Sequence, residues 1–270
     1  MKLHSYVLIL AVCCAAQAEA RPLPRPDHIV IVIEENKAYG QIIGNPSAPY
    51  INGLSRRGVL FTRSYGVSHP SEPNYLALFS GATHGVTDDA CPLELGGANL
   101  AGASLEKGLS FAIYSESMPQ PGFVGCEHGA YRRKHNPLAN WKELAALNQP
   151  LDAFPQDYAR LPTLSLLVPD QNNDMHDGSV AQGDAWLEKN IEAYARWAMA
   201  HNSLLIVTWD EDDGSAGNRI ATMFIGPMVK PGRSAQRINH YSVLRTVEEM
   251  LGLAYLGNSG QAKSVAGVWQ

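Results

Sequence analysis

The sequence lacks an excess of positive charge, internal repeats and low-complexity tracts. Its 270 residues carry a formal net charge of −5, which argues against a nucleic-acid-binding protein held by phosphate contacts. A small anionic substrate is still compatible with this charge, because a bound metal ion or a local arginine can outweigh a mildly negative surface. The hydrophobic content of 45% is sufficient for the core of one large domain, although length alone would also permit two.

Apolar runs long enough to cross a membrane are also absent beyond the N-terminus. At the N-terminus the pattern is typical of a secretory signal. Lys2 precedes the apolar run YVLILAVCCAA, and the small residues AQAEA follow it, so cleavage is expected after Ala20. The run is too short to span a bilayer. An ordinary buried strand or helix is the alternative, and a lipoprotein signal fits the residues before Cys13 poorly. We predict a signal peptide over residues 1–20, one domain over residues 21–270, and a secreted or periplasmic protein without a transmembrane anchor.

Cysteines are scarce, and only Cys91 and Cys126 lie outside the predicted signal peptide. An exported chain with two cysteines is a candidate for one disulfide. Two buried free thiols are the alternative, because sequence spacing cannot show that the side chains meet. Neither cysteine has the C-x-x-C spacing of a redox or zinc site, so neither of those sites is predicted.

Apolar runs rich in β-branched residues alternate with helical patterns along the chain. The runs begin at His28 (HIVIVIEEN), Leu109 (LSFAIYSE), Thr163 (TLSLLVPD), Ser203 (SLLIVTWDED) and Ile220 (IATMFIG). Continuous runs of this kind are typical of strands buried on both faces of a parallel sheet. The clearest helical patterns begin at Gly183 and Tyr241. This alternation predicts an α/β fold with a mostly parallel central sheet.

Acidic and amide side chains follow three of the predicted strands. They are EEN at residues 34–36, DQNNDMHDGS at residues 170–179 and DEDDG at residues 210–214. In open α/β sheets, ligands bind beyond the carboxyl ends of the strands. We therefore expect the three clusters to converge on one site, although each alone would also suit an exposed acidic loop.

Two of these clusters offer oxygen ligands for a divalent cation. Glu35 and Asn36 pair a carboxylate with a carboxamide, which suits a hard or borderline cation; a solvated strand end with a helix cap is the alternative. The four consecutive acids at residues 210–213 would repel one another without a cation, although D-D-G is also a turn signal. We predict that Asp210 and Glu211, nearest the strand end, bind the cation and that the next two acids form the turn.

The third cluster combines carboxylates with an imidazole, a common ligand set for zinc and related metals. Its members are Asp170, Asp174, His176 and Asp177. A lone histidine is more often structural than a ligand, but His176 lies among acids beyond a strand. His240 precedes a helical pattern, where a helix-entry contact and a metal ligand are equally compatible with the sequence.

Ser71 lies in VSHPSEPNYLALFSG, where a loop is expected to enter a helix. It can act as a helix N-cap, with Pro73 near the first turn. The same position favours a phosphate oxyanion, because amide N–H groups and the positive end of the helix dipole lie nearby. A serine hydroxyl becomes a nucleophile only with a base or a metal, and the chain lacks a G-x-S-x-G elbow. A metal-activated serine is therefore favoured over a hydrolase triad.

Taken together, several motifs resemble a known family. They are HIVIVIEENKAYGQIIGN, SHPSEPNYLALFSG, YRRKHNP, NDMHDGS and LLIVTWDEDDGS. In this order they resemble the bacterial phosphoesterase family of acid phosphatases and phospholipases C. The likeness covers nearly the whole chain after the signal peptide and is nearest to the short secreted acid phosphatases of the mycobacterial phosphatidylinositol-3-phosphate phosphatase type. It implies the α/β three-layer sandwich of the alkaline-phosphatase-like metallohydrolases.

The resemblance also implies roles for individual residues. Ser71 would attack phosphorus and form a phosphoserine intermediate, and Asn74 would donate a hydrogen bond to a phosphoryl oxygen. The implied ligands of a divalent metal ion in contact with the serine oxygen are Glu35, Asn36, Asp210 and Glu211. Lys134 and His135 would contact the phosphate or the leaving group, with a solvated basic patch as the alternative. The residues implied to bind a second metal or to handle the leaving-group proton are Asp174, His176 and His240.

The expected function is that of a secreted, metal-dependent acid phosphatase acting on small phosphomonoesters or phosphatidylinositol 3-phosphate. Two-metal relatives carry an Asp-His pair where this chain has Asp210 and Glu211, so one or two metal ions are compatible with the resemblance. A phospholipase C-type phosphodiesterase is the alternative; the family's phospholipases are larger and tend to carry threonine in place of Ser71. An exported, non-catalytic protein that binds divalent cations is the alternative from another class.

Overall fold

The computed structural model describes residues 22–270, so the predicted signal peptide lies outside the described residues. The strands are β1 (His28–Glu34), β2 (Val59–Tyr65), β3 (Phe111–Ser115), β4 (Glu127–His128), β5 (Tyr131–Arg132), β6 (Asn148–Pro150), β7 (Leu164–Val168), β8 (Ser203–Trp209), β9 (Arg219–Ile225) and β10 (Gly232–Asn239). The helices are α1 (Tyr39–Ile42), α2 (Pro49–Leu54), α3 (Ser71–Ser80), α4 (Leu100–Glu106), α5 (Val180–Ala200) and α6 (His240–Leu251).

Eight of the strands form one sheet in the order β10-β2-β9-β8-β1-β7-β3-β6. β1 pairs in parallel with β7 and with β8, and parallel pairing continues through β3 to β6. β9 is antiparallel to both of its neighbours, β8 and β2. The short turn at residues 210–218 explains this reversal, because a parallel pair needs a crossover of a dozen or more residues. β4 and β5 form a separate two-stranded sheet.

Helices cover the sheet on both sides. Along β1 the side chains alternate between two cores: Ile29 and Ile31 pack in the core that contains α3 and α6, whereas Val30 and Val32 pack in the core that contains α5. A strand buried on both faces needs an apolar residue at nearly every position, which explains the continuous apolar run in the sequence. The predicted three-layer α/β sandwich with a mostly parallel sheet is confirmed.

The strands that the sequence predicts are all present, as β1, β3, β7, β8 and β9. The sequence does not predict β10, because this edge strand is mostly exposed and lacks an apolar run. Within residues 22–270, no helix combines the length and the apolar character that crossing a bilayer requires.

A disulfide joins Cys91 to Cys126, and their Cα atoms lie 5.8 Å apart. It links the loop after α3 to the segment before β4. Two residues before Cys91, the same loop carries Asp89, and Arg133 N donates a hydrogen bond to the Cys126 carbonyl at 2.9 Å. The bridge therefore fastens the Asp89 loop to the segment that continues into Lys134.

Candidate active site

Ser71 is the first residue of α3 and is buried. Pro70 occupies the N-cap position, so the alternative in which the Ser71 side chain caps the helix is wrong. The hydroxyl donates instead toward Glu35 Oε2 at 2.9 Å and toward Glu211 Oε1 at 3.3 Å. The serine oxygen thus lies between two carboxylates at the positive end of a helix.

The carboxylates around Ser71 come from the ends of β1 and β8. These strands pair in parallel with Glu34 opposite Trp209, so the residues that follow each strand meet at the same edge. Glu35 and Asp210 are buried there. The backbone of Asn36 has a φ of 49°, which asparagine tolerates well, and its N–H donates to Asp210 Oδ1 at 3.2 Å.

Burial raises the pKa of these acids. The pKa of Glu35 and that of Asp210 lie well above their ordinary values, and the pKa of Glu211 rises to about 8, because each carboxylate is desolvated and lies near another. Among residues 22–270, Asn36 Oδ1 and Asp210 Oδ2 have no hydrogen-bond partner although both are buried. Unpaired buried acids are strongly unfavourable. An oxygen-binding divalent cation would satisfy these atoms and offset the repulsion, so the donor set fits such an ion.

His135 joins this group from the 3-10 turn Arg133–His135. Its Nε2 lies 3.3 Å from Glu35 Oε1 and its Nδ1 lies 3.1 Å from Asp174 Oδ2. Burial lowers the pKa of His135 to about 4. Above that pH the ring is neutral, which is the form that binds metal ions. Glu35, His135 and His176 can each bring one ligand atom within 4.8 Å of the other two. This position suits a metal ligand better than the substrate contact that the sequence predicts.

Lys134 has a fixed position beside this group. Its Nζ lies 2.9 Å from Asp89 Oδ2 and 3.3 Å from His176 Nε2. Asp89 Oδ1 also accepts a hydrogen bond from the N–H of Glu72, in the first turn of α3, at 3.0 Å. Asp89 therefore connects the lysine to the helix that begins with Ser71, and no sequence pattern marks this residue.

His176 is held by two acids and remains partly exposed. Its backbone N–H donates to Asp174 Oδ1 at 2.7 Å, and its ring Nδ1 lies 2.8 Å from Asp177 Oδ1. The ring presents Nε2 toward the Lys134 ammonium. An imidazole with this restraint and this access can transfer a proton to or from a bound molecule.

Two predicted contacts do not match the structure. Both hydrogens of the Asn74 carboxamide donate to backbone carbonyls, those of Ser68 at 3.0 Å and Pro70 at 3.1 Å. Asn74 therefore shapes the loop before Ser71, and both of its amide hydrogens are already used. His240 directs Nε2 to the carbonyl of Asp210 at 2.5 Å, so that nitrogen positions the strand end instead of facing the acid cluster.

Two further contacts at the site involve residues that the sequence does not predict to take part. Tyr75 donates its hydroxyl to Glu35 Oε1 at 2.5 Å. His69, to which the sequence pattern assigns no role, places Nδ1 2.5 Å from Glu211 Oε2. The i, i+4 spacing between Ser71 and Tyr75 is the signal that could have identified the tyrosine, because residues four apart share a helix face.

The sequence profile of the Phosphoesterase family matches residues 45–254 of this chain. The phosphatidylinositol-3-phosphatase of Mycobacterium tuberculosis is 48% identical over 255 residues, which cover 93% of this chain and 85% of that protein. An acid phosphatase of Aspergillus fumigatus is 30% identical over 228 residues, which cover 76% of this chain. The chain spans about half of the fungal protein, 51% of its length.

Solved structures share the fold at low sequence identity. A protein in the alkaline phosphatase superfamily from Vibrio parahaemolyticus superposes with a TM-score of 0.61 at 14% identity, over 90% of this chain and 71% of that one. The lipoteichoic acid synthase LtaP from Listeria monocytogenes also gives 0.61, at 10% identity, over 85% of this chain and 73% of that one. These likenesses show an alkaline-phosphatase-like fold.

Proposed function

We propose a mechanism from the premise that this chain belongs to the Phosphoesterase family and is a phosphoric monoester hydrolase. In this proposal Ser71 attacks the phosphorus atom of a phosphomonoester, and water later hydrolyses the phosphoserine. The observation that carries the proposal is the position of Ser71 Oγ, 2.9 Å from Glu35 Oε2 and 3.3 Å from Glu211 Oε1, at the start of a ten-residue helix. One of these carboxylates accepts the hydroxyl proton as the Oγ–P bond forms and the bond from phosphorus to the leaving oxygen breaks.

Dependence on a divalent metal ion is part of the proposal. The residues that would hold the ion are Glu35, Asn36, Asp210 and Glu211, joined by His135. When bound, such an ion favours the ionised serine and neutralises charge on the phosphoryl group. The predicted ligand His240 is assigned a positioning role instead, because its Nε2 faces the Asp210 carbonyl.

Other side chains would bind the phosphoryl group and handle protons. Lys134 and the N-terminal end of α3 supply positive charge where the transferred group becomes negative. His176 would give a proton to the leaving oxygen, while Asp177 contacts its ring and Asp174 accepts a hydrogen bond from its backbone N–H. Phosphoryl transfer depends mainly on positioning and charge neutralisation, and these groups supply both.

We further propose that the chain is exported and that its substrates are small phosphomonoesters, phosphoinositides included. The signal-like pattern over residues 1–20 and the Cys91–Cys126 disulfide both support export, because disulfides persist in oxidising compartments. The phosphoinositide part rests on the 48% identity to a phosphatidylinositol-3-phosphatase.

The experiment compares turnover of p-nitrophenyl phosphate with turnover of p-nitrophenyl phosphorylcholine, from acid to neutral pH, with and without a chelator. We expect the monoester to be the better substrate and the chelator to lower its turnover. Ser71→Ala should lose at least about 10³-fold in kcat, because the covalent route disappears. Ser80→Ala, at the other end of the same helix, is the matched control and should retain turnover.

Each alternative predicts a distinct result. Full activity in Ser71→Ala would exclude this serine as the nucleophile. Faster turnover of the phosphorylcholine diester would favour the phospholipase C-type enzyme. Absence of any turnover, with divalent cation binding intact, would favour the non-catalytic cation-binding protein.

A further inference from the structure

Five arginines gather on one side of the molecule, on β2, β9, β10 and the turn after α2. They are Arg56, Arg63, Arg219, Arg233 and Arg237, and we call them the arginine face. Within residues 22–270 none of the five forms an ion pair with an acid, whereas Arg57, Arg132, Arg196 and Arg245 all do. In a chain with a net charge of −5, five like charges without acidic partners indicate an anionic ligand that lies outside the chain.

Strand register and aromatic stacking hold three of these arginines together. Arg237 is paired with Arg63 between β10 and β2, and Tyr65 is paired with Arg219 between β2 and β9. The Arg237 guanidinium lies 3.9 Å from the centre of the Tyr65 ring, and Arg219 lies 4.1 Å from the centre of the Tyr39 ring. Stacking restrains each guanidinium. Arg219 donates its Nε–H to the Thr62 carbonyl at 2.9 Å, and its terminal N–H groups, like those of Arg237, are left for a phosphate or carboxylate.

A surface cavity of about 780 Å³ extends the arginine face. Arg56 and Arg233 line it together with Tyr39, and Ile43 and Leu60 supply apolar wall. Cationic side chains around a partly apolar concavity match a ligand that has both anionic and apolar groups.

The arginine face borders the proposed active site. Gly66, directly after β2, donates its N–H to the carbonyl of Asn218 at 2.9 Å. Asn218 also donates its amide to the Ser68 carbonyl at 2.8 Å, and the next residue is Arg219. The loop that leads to the nucleophile is therefore connected to the base of the arginine face.

We propose that the arginine face docks the protein on an anionic lipid surface. Lipid phosphates and carboxylates match guanidinium groups in geometry and charge. A flat lipid surface meets this face alone, whereas a long flexible polyanion would also meet the acidic remainder of the molecule. That the docked lipid surface carries the substrate rests on the proposed function, but docking itself does not.

The test is sedimentation with vesicles of phosphatidylcholine alone or of phosphatidylcholine mixed with phosphatidylserine. We expect binding only to the mixed vesicles and its loss at high salt. The variant Arg63→Gln/Arg219→Gln/Arg237→Gln should bind about 100-fold more weakly, since each basic residue near such a surface contributes roughly fivefold. The matched control, Lys107→Gln/Arg160→Gln/Lys189→Gln, removes three exposed cations outside the arginine face and should bind as the wild type does.

Arg219 also donates to the Thr62 carbonyl, so its substitution removes a hydrogen bond within the fold. A second variant therefore leaves Arg219 unchanged. Arg63→Gln/Arg237→Gln retains that bond and should weaken binding about 25-fold without lowering the melting temperature. Equal binding by the face and control variants would overturn the proposal, as would equal binding to both kinds of vesicle. Tighter binding of heparin than of mixed vesicles, through the same arginines, would assign the face to a soluble polyanion. Binding is measured without turnover, so failure of the phosphatase assay would be a separate result.

Discussion

Two groups of buried carboxylates in this molecule have opposite surroundings. Glu248 in α6 accepts hydrogen bonds from Leu256 N at 2.8 Å and from Ser259 Oγ at 2.6 Å. Glu35 and Asp210 are equally buried, but they lie among other acids, and Asp210 Oδ2 has no partner within residues 22–270. The first arrangement fastens the C-terminal segment to a helix, and the second gathers negative charge.

The pKa does not separate these two roles. Burial raises the pKa of Glu248 to about 7, although its hydrogen bonds favour the ionised form. Burial also raises the pKa of Glu35 well above its usual range. The difference lies in the charged neighbours: Glu35 has the buried carboxylates of Asp210 and Asp174 beside it as well as hydroxyl donors, whereas both oxygens of Glu248 are bound by donors. Substitution should therefore affect stability in the first group and activity in the second.

Among variants of the two carboxylate groups, Asp210→Asn should have the largest effect. We expect turnover of a phosphomonoester to fall by about 10²- to 10³-fold, because the variant lacks one ligand of the proposed cation. Since burial raises the pKa of Asp210, ionisation destabilises the ion-free protein as pH rises through that pKa. In chelator at pH above neutral, the variant should then melt at a higher temperature than the wild type.

Asp213→Asn is the control for this variant, because Asp213 is exposed in the turn and bonds Ser215 and Gln41. It should leave turnover unchanged. A lower melting temperature of Asp210→Asn in chelator would contradict the view that Asp210 is an uncompensated charge.

Adding a divalent cation should stabilise the wild type by about 2.7 kcal/mol at a hundredfold excess over its Kd. Glu35→Gln, which removes one of the proposed ligands, should show little of this gain, whereas Glu248→Gln should retain all of it. Thermal melting with and without the cation measures the effect. An equal gain in both variants would place the ion elsewhere.

Ser259→Ala should lower the free energy of unfolding by about 1–3 kcal/mol, because Glu248 Oε2 loses its donor inside the protein. Turnover should stay at the wild-type level. Urea unfolding and a phosphomonoester assay measure both quantities, with Ser264→Ala in the same segment as the control. Lost turnover at unchanged stability would reverse the roles assigned to the two groups.

A further prediction concerns how the contribution of Glu248 to stability depends on pH. Its pKa is about 7 when folded and near 4.5 when unfolded, so the folded state binds more protons between these values. The free energy of unfolding of the wild type should therefore fall as pH rises from 4.5 to 7, relative to Glu248→Gln, and the difference should be constant above that range. Urea unfolding across this pH range measures it, and a constant difference throughout would contradict the assignment.

The sequence predicts those parts of the fold and site that follow from strand patterns. β1 and β8 are continuous apolar runs, and the acids directly after them, Glu35 and Asp210, must meet if the strands are parallel neighbours. Ser71 is recognisable because a helix entrance with a serine suits a phosphate. These inferences need only the local residue pattern and the rule that the carboxyl ends of neighbouring parallel strands lie at the same edge of a sheet.

Other features depend on contacts that no local pattern encodes. Asp89 lies in an irregular loop, and only the packing of that loop brings it to Lys134. Asn74 is polar and close to Ser71 in sequence, but both of its amide hydrogens donate to backbone carbonyls of its own loop. The arginine face combines residues from β2, β9 and β10 that only strand register places side by side.

The most direct test of the account is a search for phosphate on Ser71 during turnover. Wild-type protein mixed with a phosphomonoester is quenched in acid within the first turnovers, digested and analysed by mass spectrometry, beside Ser71→Ala. We expect phosphate on the peptide that contains Ser71 and none in the variant. Phosphate on another residue, or turnover without any phosphorylated peptide, would contradict it.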